Sequence, residues 1–168
     1  MNVLIIYDSM FGNTEQIARA IGAALGSQGD VGILKVKDVT RDQLKELELL
    51  IVGSPTRGFR PTPAITSFCK GTSPASLNGI KVAAFDTRIA AQDIKSPILR
   101  FLVNRGGYAA RPIAEHLKKR GGELLIPPEG FYVKGAEGPL QDGELERAAD
   151  WARLITKAGT QQVPRYEI

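Results

Sequence analysis

Short apolar runs alternate with helical patterns along this chain, and that alternation constrains the fold more than any other feature. Val3 to Tyr7, Val31 to Val36, Leu49 to Val52 and Lys81 to Phe85 are rich in β-branched residues and have strand length rather than helix length. Between the first two runs, Asn13 to Leu25 places Ile17, Ala20, Ile21, Ala24 and Leu25 on one helical face. A fifth strand is expected over Glu123 to Ile126, after a helix from about Tyr108 to Arg120 that stops at Gly121-Gly122. A last helix should run from near Asp142 to Lys157, with Asp142, Glu144 and Glu146 at its positive end. Alternation falters from Ile89 to Gly107, which reads as an insertion holding a short helix. Strands that are apolar throughout and separated by helices imply a parallel sheet covered on both faces and joined by right-handed crossovers. With no long linker or repeat, the 168 residues are expected to form one α/β domain.

Composition narrows the chemistry. Cys69 is the only cysteine and His116 the only histidine, so no intramolecular disulfide and no His/Cys metal cluster is available. No nucleophile and base fall into a Ser/His/Asp or Cys/His arrangement, so no catalytic side chain is expected. Asp8 interrupts the first apolar run far short of a membrane span, and the start carries no basic leader. These features, with the lone thiol, suggest a cytoplasmic protein without a membrane partner. The formal charge is +4, but no nucleic-acid-binding motif accompanies it, and a solvated mixed surface is the simpler reading.

Doubly wound sheets bind ligands beyond the carboxyl ends of their strands. The loop after the first run, Asp8-Ser9-Met10-Phe11-Gly12-Asn13, leads directly into a helix. Its backbone amides and the helix dipole suit a phosphate, with Ser9, Asn13 and Thr14 as neutral donors and Gly12 free to adopt positive φ. The same residues could simply cap the helix without any ligand. Neither a triphosphate-binding Gly-Lys-Ser/Thr nor a dinucleotide Gly-x-Gly-x-x-Gly occurs, so a monophosphate is the natural guest.

The segment from Ile5 to Ala18, with its strand-end Tyr7, Ser9, Gly12-Asn13-Thr14 and Ala18, resembles the phosphate-binding signature of the flavodoxin family. That resemblance implies a doubly wound five-stranded parallel sheet with helices on both faces, and bound flavin mononucleotide (FMN). It assigns the phosphate to Ser9, Met10, Phe11, Gly12, Asn13 and Thr14. Met10 and Phe11 stand where the family often has hydroxyl residues, and each lost charge-assisted hydrogen bond could cost about 1.5 to 3 kcal/mol of affinity. In the family the loop after the third strand flanks the flavin ring, which implies roles for Pro55, Thr56, Arg57, Gly58 and Phe59, with Phe59 as the ring-contacting aromatic. Pro61 and Pro63 could alternatively serve only to start a helix carrying Phe68 and a core Cys69. The third loop is implied at Asp86, Thr87 and Arg88, where the likeness is weaker because the family's Tyr is missing and Tyr108 lies far downstream. Arg57, Arg60 and Arg88 would make the flavin edge basic, favour the anionic reduced cofactor and steer the protein toward an acidic face on a redox partner. Each arginine has an equal structural reading, pairing with Asp86 or with a helix end.

Residues 106 to 153 match no motif with derivable chemistry; Phe131, Tyr132 and Trp151 read as packing residues and His116 as exposed. Three functional readings stand. The first is an electron carrier between redox proteins. The second, suggested by Ser54-Pro55-Thr56-Arg57, is an FMN-dependent NAD(P)H:quinone oxidoreductase. The third is a binding module that has lost FMN, as Met10 and Phe11 would allow. Oligomeric state is not legible.

Overall fold

The computed structural model describes residues 1–71 and 75–160. Strands β1 (Asn2–Tyr7), β2 (Asp30–Lys35), β3 (Leu49–Pro55) and β4 (Lys81–Ile89) form a parallel sheet in the order β2-β1-β3-β4, with β5 (Glu123–Leu124) beyond β4. Helices α1 (Asn13–Leu25), α2 (Pro63–Lys70), α3 (Pro97–Gly106), α4 (Ala110–Lys119) and α5 (Glu144–Thr160) connect or follow the strands. This is the doubly wound arrangement expected from the alternation of runs.

The fifth strand differs from expectation. Only Glu123–Leu124 pairs with Lys81–Val82; the chain then leaves the ladder and returns as β6 (Glu129–Val133), which pairs in parallel with Phe85–Ile89. Pro127 and Pro128 lie in the gap, and neither can donate a ladder hydrogen bond. One sheet position is thus filled by two segments, and β4 extends to Ile89 because β6 gives its second half a partner.

Alternate strand residues serve two cores. Val3, Ile5, Leu49, Ile51, Ala83 and Phe85 face α1 and α5, whereas Leu4, Ile6, Leu50, Val52, Val82 and Ala84 face α2 and α4. On the first face Phe85, Phe131 and Trp151 meet edge to face, with ring centroids 6.1 to 6.2 Å apart. Gly53 permits this packing, since a Cβ there would lie 2.1 Å from the Phe85 ring. Phe131 and Trp151 are therefore packing residues, as expected.

On the second face, the Arg120 guanidinium is buried under the end of α2. Nη1 donates to the carbonyls of Phe68 (3.1 Å) and Cys69 (2.9 Å), and Nη2 donates to Ser76 Oγ (3.0 Å). Carbonyls at a helix C-terminus carry partial negative charge, so they stabilise a cation that has no carboxylate partner among the described residues. Cys69 lies in the core, where burial pushes its thiol up to about 11. The α4 helix ends where Gly121-Gly122 signals a stop, with Gly122 N donating to the Leu117 carbonyl at 3.1 Å. His116, in that helix, uses Nδ1 on the Pro112 carbonyl at 2.6 Å.

Trp151→Ala should remove both ring contacts and leave a cavity, lowering the unfolding free energy by about 3–5 kcal/mol in urea denaturation. A loss below about 1 kcal/mol would mean that the three rings do not pack as one unit.

Candidate functional site

Because β1, β3 and β4 run parallel and in register, Tyr7 beside Gly53 and Pro55 beside Thr87, their carboxyl ends open on one side of the sheet. A cleft of about 360 Å³ lies there, walled by Ser9, Met10, Phe11, Asn13 and Thr14 from the first loop, by Pro55 to Gly58 from the second, and by Thr87, Arg88 and Ile89 from β4. Val133, at the end of β6, and Ala136, just after it, close its far side. Among the described residues no group of His, Cys, Asp or Glu could hold a metal ion, and no helix is long and apolar enough to cross a membrane.

The first loop is organised by its own side chains. Ser9 N donates to Asp8 Oδ1 (2.9 Å), while Ser9 Oγ accepts from Gly12 N (3.1 Å) and Glu15 N (3.4 Å). Gly12 caps α1 at φ 86°, a left-handed conformation that favours glycine, and its carbonyl receives Gln16 N. The amides of Met10, Phe11, Asn13 and Thr14 have no acceptor among the described residues, although Asn13 and Thr14 are buried. Unpaired amides at a helix N-terminus, with nothing within 4 Å of where a Gly12 Cβ would stand, form a cradle for an anion. Neither Asn13 nor Thr14 caps the helix. The Asn13 amide group donates to the Glu137 carbonyl at 3.0 Å in a half-buried bond, and the Thr14 hydroxyl pairs with that of Thr87 at 2.8 Å in a buried one.

The second loop is a tight hairpin. Arg57 and Arg60 exchange both backbone hydrogen bonds, and Gly58 (φ 52°) and Phe59 (φ 65°) form its two-residue turn. Positive φ at both positions is what a primed turn requires. Thr56 fixes the hairpin base, donating its N–H to the Thr87 carbonyl (2.9 Å) and accepting Ala109 N on Oγ1 (2.9 Å). This turn carries Phe59 away from the cleft and onto α3, where a Cβ at Gly106 would come within 3.2 Å of it. Phe59 thus lines a second, neighbouring cleft with Arg60, Arg105, Tyr108 and Arg111. The aromatic at the first cleft is Phe11, half exposed, with the Arg57 guanidinium 5.8 Å from its ring centre.

At the third loop Asp86 is fully buried beneath the cleft rather than on its wall. Arg88 clamps it with Nε to Oδ1 (2.6 Å) and Nη2 to Oδ2 (2.7 Å), and Ala110 N donates to Oδ2 (2.8 Å) at the start of α4. Burial raises the Asp86 carboxyl above its usual range, and the guanidinium and the Ala110 amide oppose that shift. Arg88 also stacks on Tyr108, its guanidinium carbon 3.8 Å from the ring centre. The expected three-arginine edge is therefore reduced: Arg88 is neutralised by Asp86, and Arg57 and Arg60 remain without a carboxylate partner among the described residues. The spacing of Asp86 and Arg88, two apart on one strand and so on one face, was the available signal for this pair.

Sequence reasoning missed Val133 and Ala136. The run Phe131-Tyr132-Val133, β-prone and separated from Pro127-Pro128 by two residues, was the clue to a strand there.

A model of the flavodoxin domain matches residues 4–125. A solved flavodoxin from the domain Archaea is 27% identical, covers 94% of this chain and 99% of its own, and superposes with a TM-score of 0.74. Oxidised flavodoxin 2 from Bacillus cereus is 22% identical over 94% of this chain and 99% of that one, at a TM-score of 0.72. A WrbA-like flavodoxin from Agrobacterium tumefaciens is 17% identical over 96% and 99%, at 0.69. No curated protein matches the sequence. With a parallel sheet in the order β2-β1-β3-β4-β5, a helix-capping glycine loop at its switch point and a domain model spanning most of its length, this chain belongs to the flavodoxin family.

Proposed function

We propose that this chain binds FMN in the cleft and carries electrons between redox partners. The observation that carries the reading is the group of unpaired amides at Met10, Phe11, Asn13 and Thr14, converging on the N-terminus of α1 within the cleft. A phosphate held there needs no charged side chain, because oriented amides and the helix dipole supply the compensation. Met10 and Phe11 donate through the backbone as hydroxyl residues would, so their apolar side chains do not disqualify the loop. Pro55, Thr56, Arg57 and Gly58 would flank one side of the ring system, and Thr87 and Arg88 the other, with Phe11 at the rim.

Bound FMN supplies the redox chemistry; the chain's own residues position it and tune its charge. No side chain is required to move a proton. Arg57, exposed and free of a carboxylate, favours negative charge in the cleft and a partner with an acidic face. An NAD(P)H:quinone oxidoreductase is the second reading, favoured by the neighbouring cleft that shares Gly58 with the first and offers room for a second reactant.

FMN titration followed by flavin absorbance should give one FMN per chain. Gly12→Val, which forces a β-branched residue into a left-handed conformation at the cradle, should weaken binding by roughly tenfold or more. A wild-type protein that binds no flavin would overturn the assignment.

Arg57→Gln should make the midpoint potential of the bound flavin more negative by roughly 10–30 mV in a redox titration. An unchanged potential would remove Arg57 from the flavin's surroundings. Rapid NAD(P)H oxidation with a quinone and no added reductase would favour the second reading over the first.

A further inference from the structure

Helix α3 buries almost nothing. Of its ten residues only Val103 is buried, whereas Ile98, Leu99, Phe101 and Leu102 are 73, 50, 58 and 41% exposed. These four side chains fall within an arc of about 160° on the helix surface. The helix is nevertheless well defined locally: Ser96 caps it by accepting Leu99 N, Pro97 occupies its first turn, and Gly107 N closes it on the Val103 carbonyl. Water-exposed apolar side chains in such a cluster are costly unless something covers them.

Charge indicates what that is. Residues 94–114 contain Lys95, Arg100, Arg105 and Arg111 and no carboxylate, and residues 49–85, which include the adjoining Arg57–Arg60 hairpin, contain none either. Of these cations, Arg111 alone has an acidic partner among the described residues, Glu115 at 3.3 Å. Arg105 lies seven residues after Ile98 and so continues the apolar face, where its long stem can reach outward while its head stays in water. Phe59 joins the hairpin to the end of α3, so both basic elements present one surface.

We propose that α3 docks this protein on an anionic lipid surface, Phe101, Ile98, Leu99 and Leu102 entering the headgroup boundary while Lys95, Arg105 and Arg60 meet lipid phosphates. A single convex helix with apolar side chains spread over so wide an arc matches a fluid boundary better than a rigid protein groove, and the excess of cations over the flanking acids Asp93 and Glu115 matches its charge. This is peripheral contact, so the lack of a spanning helix among the described residues does not bear on it. Because the second cleft lies between α3 and the hairpin and shares Gly58 with the first, docking would bring the proposed FMN cleft close to the lipid. The docking itself does not depend on FMN.

The test is flotation of the full chain, with and without FMN, on vesicles of phosphatidylcholine alone or with about one-third phosphatidylglycerol. Flotation is expected on the anionic vesicles only. It should fall by roughly tenfold for Phe101→Ser/Leu102→Ser, fall similarly for Lys95→Gln/Arg105→Gln, and weaken at high salt. The exposed positions should leave thermal unfolding unchanged in both variants. Phe101→Trp adds a second reading: its emission should shift to the blue on anionic vesicles, against a buried Trp151 that does not respond. No flotation, or equal flotation of wild type and variants, overturns the proposal. A concentration-dependent dimer abolished by Phe101→Ser/Leu102→Ser, without flotation, overturns it in favour of a second copy as the occupant. An unchanged result without FMN keeps this test separate from the cofactor assignment.

Discussion

Parallel pairing of β1, β3 and β4 is the constraint on which the rest depends. Parallel neighbours cannot be joined by a tight turn, so the chain must cross back to the start of the sheet before each new strand, through α-helices or, between β2 and β3, through short 3-10 turns, and every strand then ends on the same side. That geometry sets the loops after Tyr7, Pro55 and Ile89 side by side before any side-chain chemistry is considered. It also requires both sheet faces to be covered, and the alternation of Ile5 with Ile6, and of Ile51 with Val52, supplies apolar residues to each. The cleft is the open end of a sheet whose central strands are buried on both faces.

Much of this was written in the sequence, because buried parallel strands need continuous apolar runs and such runs are easy to read. The conformation of the first loop was legible for a related reason: a glycine immediately before a helix, flanked by small polar residues, marks a turn at positive φ whether or not a ligand sits there. The second half of the sheet was harder. Pro127 and Pro128 split one strand position into two segments, of which only the first was expected, so β6, with Val133 at its end and Ala136 beyond it, escaped notice. Phe59 was misplaced because its direction depends on the conformation of a two-residue turn. Identity alone could not show that a non-glycine residue would take φ 65°. Asp86 is buried beneath the cleft by its pairing with Arg88, one of the two readings left open for that arginine, whereas Arg88 stays on the cleft wall.

The contrast between the two arginine environments in the site is instructive. Arg88 is clamped by a carboxylate, stacked on Tyr108 and tied through Asp86 to the start of α4; it fixes the wall of the cleft. Arg57 lies over the Phe11 ring with no carboxylate partner among the described residues, and its charge remains available to whatever approaches. Arg120 shows a third solution, a buried cation satisfied entirely by neutral oxygens at a helix end. Cations of one chemical type thus serve as brace, as field source and as cap, according to what surrounds them.

The bond from Asn13 to the Glu137 carbonyl spans most of the chain and joins the first helical turn to the loop after β6. During vectorial synthesis the phosphate cradle would leave the ribosome early, whereas the residues that close the cleft and anchor Asn13 emerge more than a hundred residues later. A nascent chain truncated before β6 would hold the cradle without its wall. Capture of the proposed cofactor would therefore be a late event in the life of this polypeptide, coupled to the arrival of its last strand rather than to the folding of its first.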